Sequence, residues 1–442
     1  MLSLIRRRIG TVSAIVLMVG LLAVTSIASS GWSSSQTSSV SLSTLQLNTP
    51  SLSVSSAGAA TITDPTQTDA NGNAVTPTFT LQSSSSATGP WSTAMTQPPP
   101  PTVTSTITVG NYPYAVAYGS NGYVYVANSS GTVSVIDAAT NTVTATITIP
   151  GYANPNAIAY GSNGYVYVSN GPYILVIDAA TNTVTANIVD TCCGSGSDYT
   201  AGSMAYDSSN GYLYVTNGNN YTVSVIDAAT NTVTGLIGLG YPNNTTAIAY
   251  GSNGYVYVTN EVSNTVSVID AATNTVTATV TVGTTPNAIA YGSNGYVYVA
   301  NNGSGTVSVI DAATNTVTAT ITLTPGVLSG PSGIAYGSNG YVYVSDASES
   351  AVSVIDAATN TVTATVTVGT IPSGVAYGSN GYVYVANESS NTVSVIQASS
   401  GTPITGSTAT SYTAATPYSP TYFQVQASYD GWTSPWSAAA AS

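Results

Sequence analysis

The side chains that carry most enzyme chemistry are nearly absent from this chain. Its only basic residues are Arg6, Arg7 and Arg8, and its 442 residues include no histidine. The region after residue 8 therefore offers no histidine base, no lysine for a Schiff base, no guanidinium clamp for phosphate and no imidazole metal ligand. Nucleic acid is excluded as a partner as well, because neutralising its phosphates requires Lys and Arg. The composition predicts a protein that is not an enzyme and has no catalytic, cofactor-binding or metal-binding residues.

The sixteen Asp and Glu residues are the remaining candidates for chemistry. A glycosidase or lyase that uses carboxylates alone would need two of them to face each other across a substrate. The loop acids available for this are Glu261, Glu349 and Glu388, which fall in different copies of the repeat described below. We therefore expect no pair of them to converge.

Six acids occupy one position of a recurring word, DAATNT. An Asp that begins a turn commonly accepts hydrogen bonds from the backbone N–H groups one or two residues on. Gln397 holds this position in the seventh copy, and a ring of bound cations would not favour an amide there. We expect Asx turns rather than a carboxylate ring at Asp137, Asp178, Asp227, Asp270, Asp311 and Asp356.

Two loop motifs resemble a disulfide site and a calcium site, respectively. Cys192 and Cys193 are adjacent, and in an exported protein they could form a vicinal disulfide, pair between chains or stay free. We expect them to lie in an exposed loop without a catalytic role. The stretch DANGN at residues 69–73 has oxygen ligands at alternate positions, but Thr80 replaces the Glu of a calcium loop.

An internal repeat dominates the rest of the chain. The word YVYV or YLYV occurs seven times, at intervals of 41 to 47 residues. Each copy holds four runs with strand-like alternation and β-branched or aromatic content, separated by Gly, Asn, Ser and Asp. Four strands in a period of about forty residues indicate one blade of a β-propeller.

The two ends of the repeat predict how the ring closes. An extra strand at residues 102–110 precedes the first copy, whereas the seventh copy ends after its third strand, TVSVIQ. If the early strand completes the last blade, both open sheet edges are hidden. The predicted fold class is all-β, with a seven-bladed propeller of four-stranded blades over residues 102–401, closed by its N-terminal strand.

The words YVYVAN and NTVSVIDAATNTVTATVTVG resemble the YVTN-type β-propeller repeats of prokaryotic, especially archaeal, cell-surface and surface-layer proteins. The resemblance covers about residues 102–401 and implies the propeller fold and a place at the cell surface. Some related propellers are lactonases, lyases or reductases, but their metal or acid–base residues include histidines that this chain lacks. The resemblance therefore does not carry those activities over.

The seven copies differ from one another in only half of their connections. The turns between first and second strands (YGSNGY) and between third and fourth strands (DAATNT) are nearly identical, whereas the other connections vary in length and residues. Alternate loops of an up-and-down blade project from opposite ends, so the propeller should have a uniform face and a variable face. We expect the uniform face to be scaffold and the variable face to carry function.

Two further features bear on these faces. The paired tyrosines of each YVYV word, such as Tyr296 and Tyr298, should pack between blades, with a stacking platform for sugars as the alternative. Asn-X-Ser/Thr acceptors fall in variable-face connections and predict a glycosylated face. These acceptors are Asn128, Asn220, Asn243, Asn244, Asn302 and Asn387.

The N-terminal thirty residues have the form of an export signal, with three arginines before an apolar stretch. Small residues at Ser26 and Ala28 suit cleavage to a soluble secreted product. Alternatively, the segment resembles an archaeal type IV pilin signal cut near Gly10, which would leave an apolar assembly helix from Thr11. A third possibility is an uncleaved anchor. All three predict an extracellular protein at the cell surface.

A second core is expected outside the propeller, because all four Trp and both Phe lie outside residues 102–401. The C-terminal TYFQVQASYDGWTSPWS resembles the last strands of a fibronectin type III domain. We predict a split fibronectin- or Ig-like β-sandwich of residues 51–97 and 402–442, with the propeller inserted into it. A Ser/Thr-rich linker at 31–50 and a polyproline spacer at 98–101 complete the predicted organisation.

These features together predict a non-enzymatic, extracellular structural or recognition protein that displays a glycosylated propeller for coat formation or adhesion. Its expected partners are other surface proteins, copies of itself and glycans, with membrane contact only through the N-terminal segment. The alternative is a pilin-like filament subunit, in which the N-terminal helix forms the filament core and the sandwich and propeller form the head.

Overall fold

The structure is a computed structural model that describes residues 51–54, 59–63, 78–84, 92–93, 101–151, 154–190, 201–240, 242–323, 330–398, 411–413, 422–429, 432–433 and 440–441. The N-terminal apolar segment, the cysteine pair and the 69–73 motif lie outside these residues. Within the described ranges, no helix has the length and hydropathy that crossing a membrane would require.

The described residues form strands almost throughout, because Val, Ile, Thr and Tyr favour an extended backbone. The strands that lead to the propeller are β1 (Ser51–Val54), β2 (Ala59–Thr63), β3 (Thr78–Ser84), β4 (Ser92–Thr93) and β5 (Thr102–Thr108). The next sixteen are β6 (Pro113–Tyr118), β7 (Tyr123–Asn128), β8 (Thr132–Asp137), β9 (Thr142–Thr148), β10 (Ile158–Tyr160), β11 (Tyr165–Asn170), β12 (Tyr173–Asp178), β13 (Thr183–Val189), β14 (Ala201–Tyr206), β15 (Tyr212–Asn217), β16 (Thr222–Asp227), β17 (Thr232–Gly238), β18 (Thr245–Tyr250), β19 (Tyr255–Asn260), β20 (Thr265–Asp270) and β21 (Thr275–Thr281).

The second half of the propeller and the C-terminal region are also made of strands. The strands are β22 (Pro286–Tyr291), β23 (Tyr296–Asn301), β24 (Thr306–Asp311), β25 (Thr316–Thr322), β26 (Pro331–Tyr336), β27 (Tyr341–Asp346), β28 (Ala351–Asp356), β29 (Thr361–Thr367), β30 (Pro372–Tyr377), β31 (Tyr382–Asn387), β32 (Thr392–Gln397), β33 (Ser411–Thr413), β34 (Tyr422–Tyr429), β35 (Trp432–Thr433) and β36 (Ala440–Ala441). One 3-10 turn, Gly218–Asn220, lies between β15 and β16.

Strands β5 to β32 form seven four-stranded antiparallel sheets, which confirms the seven-bladed propeller. Blade 1 contains β6 to β9, blades 2 to 6 each take the next four strands, and blade 7 contains β30, β31, β32 and β5. The predicted closure is also confirmed, since β5 pairs with β32 in a register that runs from Thr108 opposite Thr392 to Thr102 opposite Gln397. This pairing joins residues almost 300 positions apart and closes the ring.

The core of the propeller lies between neighbouring blades. In blade 5, Tyr298, Val307 and Val309 pack against Val342 and Ile355 of blade 6. The second and third strands are buried along nearly their whole length because a blade covers each of their faces. The first strands of adjacent blades contact one another at the centre of the ring, and the fourth strands lie outermost.

Strands from the two ends of the chain pair with one another in two smaller sheets. One sheet has the order β1-β2-β33, and the other has the order β35-β34-β3-β4 with β36 also paired to β34. The longest of these pairings runs from Thr78 opposite Ser428 to Ser84 opposite Tyr422. The regions before and after the propeller therefore form one structural unit, separate from the propeller itself.

Candidate functional site

The uniform face is built from the six DAATNT turns, and the predicted Asx turns are confirmed. The backbone N–H two residues after each Asp donates to its Oδ1 at 2.8 Å, for example from Ala358 to Asp356. The same bond occurs in the other five turns. These carboxylates are engaged in their own turns, which accounts for the recurring acid.

The tyrosines of the uniform face pack as expected and also link the blades. The ring of Tyr298, which is completely buried, stacks on Tyr336 of the next blade with centroids 5.8 Å apart. Asn294 of the YGSNGY turn donates from Nδ2 to the Tyr298 hydroxyl at 2.7 Å. Stacked pairs at five other blade boundaries have centroids 6.0 to 6.2 Å apart.

Two of the six predicted glycosylation sites are incompatible with the folded propeller. Asn128 and Asn387 end the second strands of blades 1 and 7 and are completely buried. The Nδ2 of Asn128 donates to Ser134 Oγ on the third strand at 3.0 Å, and Asn387 makes the same bond to Ser394 at 2.9 Å. A glycan on either nitrogen would have to occupy the space between blades, so the prediction is wrong for these two residues.

The Asn–Ser pair is a recurring structural feature that sequence reasoning missed. The signal was present, since Asn ends the second strand and Ser occupies the third-strand word TVSVI in most copies. Among the other acceptors, the half-buried Asn244 donates to Glu261 Oε2 at 2.9 Å, and Asn302 donates to the Pro331 carbonyl at 3.2 Å. Glycosylation of Asn220, Asn243, Asn244 and Asn302 stays a prediction.

The acids of the variable face do not form a shared site. Glu261, Glu349 and Glu388 lie in blades 4, 6 and 7. Within the described part of the chain, no three His, Cys, Asp or Glu side chains are grouped so that they could hold a metal ion. The acids described on this face therefore do not fit a bound divalent metal ion.

An exposed cluster on the variable face joins blades 7 and 1. We call Tyr112, Tyr114, Ile371 and Glu388 the tyrosine patch. Tyr112, Tyr114 and Ile371 expose 56%, 46% and 43% of their surface. The backbone N–H of Glu388 donates to the Ile371 carbonyl at 2.9 Å, which places the acid beside the apolar residues. Burial, followed by the Glu388 charge, raises the pKa of Tyr114, so this phenol stays protonated and can donate.

The backbone holds this patch in an unfavourable conformation. Tyr112 and Ile371 have φ angles of 55° and 51°, in the left-handed region. A β-branched residue such as Ile371 is rarely found there, because its side chain clashes with its own backbone. The conformation is fixed by neighbours, since Asn391 Oδ1 accepts from the Tyr112 N–H at 2.8 Å. An exposed apolar side chain on a strained backbone is a candidate for binding.

Comparison with known proteins relates the chain to enzymatic propellers. Residues 247–419 match the model of a family described as "Lactonase, 7-bladed beta-propeller". No curated protein matches the chain. A solved structure described as "Streptogramin B lyase structure" has a TM-score of 0.57 and 15% identity, and it covers 72% of this chain and 97% of that chain.

Two other solved structures have a similar fold. The hydrazine synthase of Kuenenia stuttgartiensis has a TM-score of 0.56 and 19% identity, covering 65% of this chain and 95% of that chain. The structure described as U3-55K has a TM-score of 0.57 and 13% identity, covering 67% of this chain and 99% of that chain. At these identities the structures establish the fold alone.

The family match corrects the prediction that this chain is not an enzyme. That prediction rested on the missing histidines, but the matched family is a lactonase family, and a lyase has the same fold. The absence of one residue type excludes particular mechanisms, whereas carboxylates, phenols and amides remain available for others.

Proposed function

We propose that this protein is exported to the cell surface and that its propeller binds a partner through the variable face, with the tyrosine patch at the centre of the contact. The observation that carries the proposal is the patch itself. It combines two exposed phenols, an apolar side chain and a carboxylate, and aromatic residues are enriched in the energetically important parts of interfaces. The form of the N-terminal segment supports the proposed location.

The charge of the chain narrows the choice of partner. Glu388 favours a partner that presents a basic group beside an apolar surface. Another copy of this chain has no Lys, Arg or His after residue 8 and cannot supply that group from its propeller. We therefore propose a different surface protein as the partner.

The test measures binding of the purified, secreted protein to isolated cell envelopes of the source organism. Tyr114→Ser and Glu388→Gln should each reduce binding, and the Glu388 contribution should weaken with added salt. Glu349→Gln, an acid of the same face in blade 6, is the matched control and should have no effect. Equal binding by all three variants would contradict the proposal.

The same proposal includes one split sandwich outside the propeller. The pairing of β2 with β33 and of β3 with β34 supports it, because strands from both ends of the chain share sheets. Limited proteolysis that released residues 1–100 as an independently folded fragment would contradict it. The mature N-terminus of protein taken from cells separates the alternatives, since a start at Thr11 instead favours a filament subunit.

A second candidate function is hydrolysis of lactones, which the family match favours. In this chain Glu388 would take a proton from water, the resulting hydroxide would attack the ring carbonyl, and the ring C–O bond would break. The protonated Tyr114 would donate to the developing alkoxide, giving the hydroxy acid, and the proton taken up by Glu388 would return to the Tyr114 phenolate through solvent. Acid release from γ-butyrolactone and dihydrocoumarin tests this in a pH-stat, and loss of release in Glu388→Gln but not Glu349→Gln is the expected result.

A further inference from the structure

The uniform face contains a surface cleft that the proposed function does not use. The cleft has a volume of ≈ 310 Å³ and lies between blades 5 and 6. Tyr296 and Asn294 of blade 5 line it on one side, and Tyr336, Ala358 and Asn360 of blade 6 line it on the other. The identified lining contains no ionisable acid or base other than the two phenols.

The tyrosines of the cleft are held in place by the fold. Tyr336 stacks on the buried Tyr298, and Tyr296 is partly buried against the core cluster that blades 5 and 6 share. Because these rings are already ordered, little side-chain entropy is lost when a ligand packs against them.

One lining amide has a side-chain oxygen that the fold buries without a partner. Asn360 has a φ of 56°, and its side-chain oxygen is buried without a hydrogen-bond partner. The left-handed backbone accounts for Asn at this turn position in part, although glycine would serve as well. The same unpartnered amide oxygen occurs at Asn141, Asn182, Asn231 and Asn315.

The residue types that line this cleft recur around the ring. The residue types of the lining recur at the boundaries that follow blades 1, 2, 3, 4 and 7, which together with the cleft after blade 5 gives six copies. The boundary after blade 6 departs from the pattern, because Ser399 and Gly401 stand where the other blades have Ala and Asn. The sequence therefore carries the lining residue types of six such clefts, with the boundary after blade 6 as an exception. At the boundary after blade 3, Asn274 Oδ1 accepts from the Tyr214 hydroxyl at 3.1 Å, so this copy differs from the others at that atom.

Packing alone does not require this uniformity. Ala358 and Thr359 are exposed, as are their counterparts in the other five DAATNT turns. Exposed turn positions tolerate substitution, and the exposed loops of the variable face differ from copy to copy. A shared ligand would keep the exposed residues of the uniform face alike.

We propose that these inter-blade clefts bind neutral saccharides, one sugar unit to a cleft. A pyranose has an apolar face that can pack on a tyrosine ring and hydroxyl groups that can bond to amides and phenols. A single shallow cleft binds weakly, but six on one face bind a polymer or a dense glycan surface with high avidity. The uniform face is then a multivalent binding surface rather than scaffold alone.

The test uses the full secreted chain and two sets of probes. Methyl pyranosides of glucose, galactose, mannose and N-acetylglucosamine give the stoichiometry by native mass spectrometry, and the same sugars on polyacrylamide give the avidity. We expect at least one sugar to bind at six sites per chain. Failure of all four sugars, or binding at a single site, would overturn the proposal.

Two variants locate the sites. Glutamine at the exposed alanines fills all the clefts while keeping the backbone N–H that each Asx turn needs, and it should reduce avidity by about 100-fold or more. The substituted residues are Ala139, Ala180, Ala229, Ala272, Ala313 and Ala358. The matched control places glutamine at the neighbouring exposed threonines, Thr140, Thr181, Thr230, Thr273, Thr314 and Thr359, and should bind normally.

A single-site variant keeps the proposal falsifiable if the sixfold variant fails to fold. Ala358→Gln fills only the cleft between blades 5 and 6 and should lower the stoichiometry from six to five. An unchanged stoichiometry, or equal avidity of the alanine and threonine variants, would overturn the proposal. Glu388→Gln should leave sugar binding unchanged, so this test is independent of the one for the variable face.

Discussion

The two faces of the propeller use similar residues for different purposes. On the uniform face, Tyr298 is completely buried, stacked and hydrogen-bonded, and the DAATNT turns satisfy their own backbone. On the variable face, Tyr112 and Tyr114 are about half exposed, and strained backbone holds Ile371 outward. The comparison predicts that substitutions at the buried rings of the uniform face cost more stability than substitutions in the exposed tyrosine patch of the variable face.

The largest effect should come from removing a buried tyrosine. Tyr298→Ala deletes a ring that packs against blade 6, and such a substitution costs about 3–5 kcal/mol because it leaves a cavity. Tyr114→Ala on the variable face should change the free energy of unfolding by less than about 0.5 kcal/mol. Urea denaturation followed by circular dichroism measures both, and equal losses would remove the distinction between the faces.

High pH should destabilise the protein through the same tyrosines. Burial raises the pKa of Tyr214 and Tyr298 to about 12, from 10.0 in the unfolded chain. A folded-state pKa above the unfolded one gives stability that is complete below pH 10 and is lost as the pH rises towards 12. The thermal midpoint should therefore fall across this range.

A pair of substitutions attributes that loss to buried phenols. Tyr298→Phe cannot ionise and should make the fall in the thermal midpoint between pH 10 and 12 shallower. Tyr112→Phe changes a ring that is 56% exposed and should leave the profile as it is. If both variants follow the wild-type profile, alkaline unfolding has another cause.

Loss of one Asx turn should have an intermediate effect. Asp311→Ala leaves the Ala313 N–H without the carboxylate that accepts its bond at 2.8 Å. Removing a local side-chain to backbone bond of this kind costs about 1 kcal/mol. Asp311→Asn retains an acceptor and should recover most of the loss in urea denaturation. A cost above that of Tyr298→Ala would show that the turns, rather than the packed rings, dominate the uniform face.

The smallest effect is expected in a variable-face loop. Val262 lies between the second and third strands of blade 4 and is 57% exposed. Val262→Ser should shift the free energy of unfolding by less than about 0.5 kcal/mol. A loss comparable to that of Asp311→Ala would mean that this face also contributes to stability.

Much of the propeller follows from the sequence, because each blade is encoded locally. The alternation in YVYV and TVSVI, the turn residues of YGSNGY and DAATNT, and the surplus strand at Thr102–Thr108 predict the blades, the turns and the closure. The burial of Asn128 and Asn387 was not predicted. The Asn-X-Ser motif involves only consecutive residues. The hydrogen bond that occupies the Asn128 amide goes to Ser134 on the next strand, so the motif does not reveal it.

The tyrosine patch and the inter-blade clefts were also beyond sequence reasoning. Tyr114 and Glu388 are 274 positions apart, and ring closure is what brings blades 7 and 1 together. Tyr296 belongs to blade 5 and Tyr336 to blade 6. The cleft exists only where the two blades meet, so the repeat sequence of one blade does not predict it. The prediction that the chain is not an enzyme was overturned by the family match over residues 247–419, and a count of residue types could not have shown that match.

The amino-acid sequence alone determined the period, the strands, the turns and the number of blades, because these depend on interactions within about forty residues. Tertiary structure decided which polar groups the fold pairs and which it leaves without a partner, because burial and pairing depend on neighbours from other blades. Asn294 and Asn360 show the difference. Both are turn asparagines of the uniform face, yet the first is bonded to Tyr298 and the oxygen of the second has no partner.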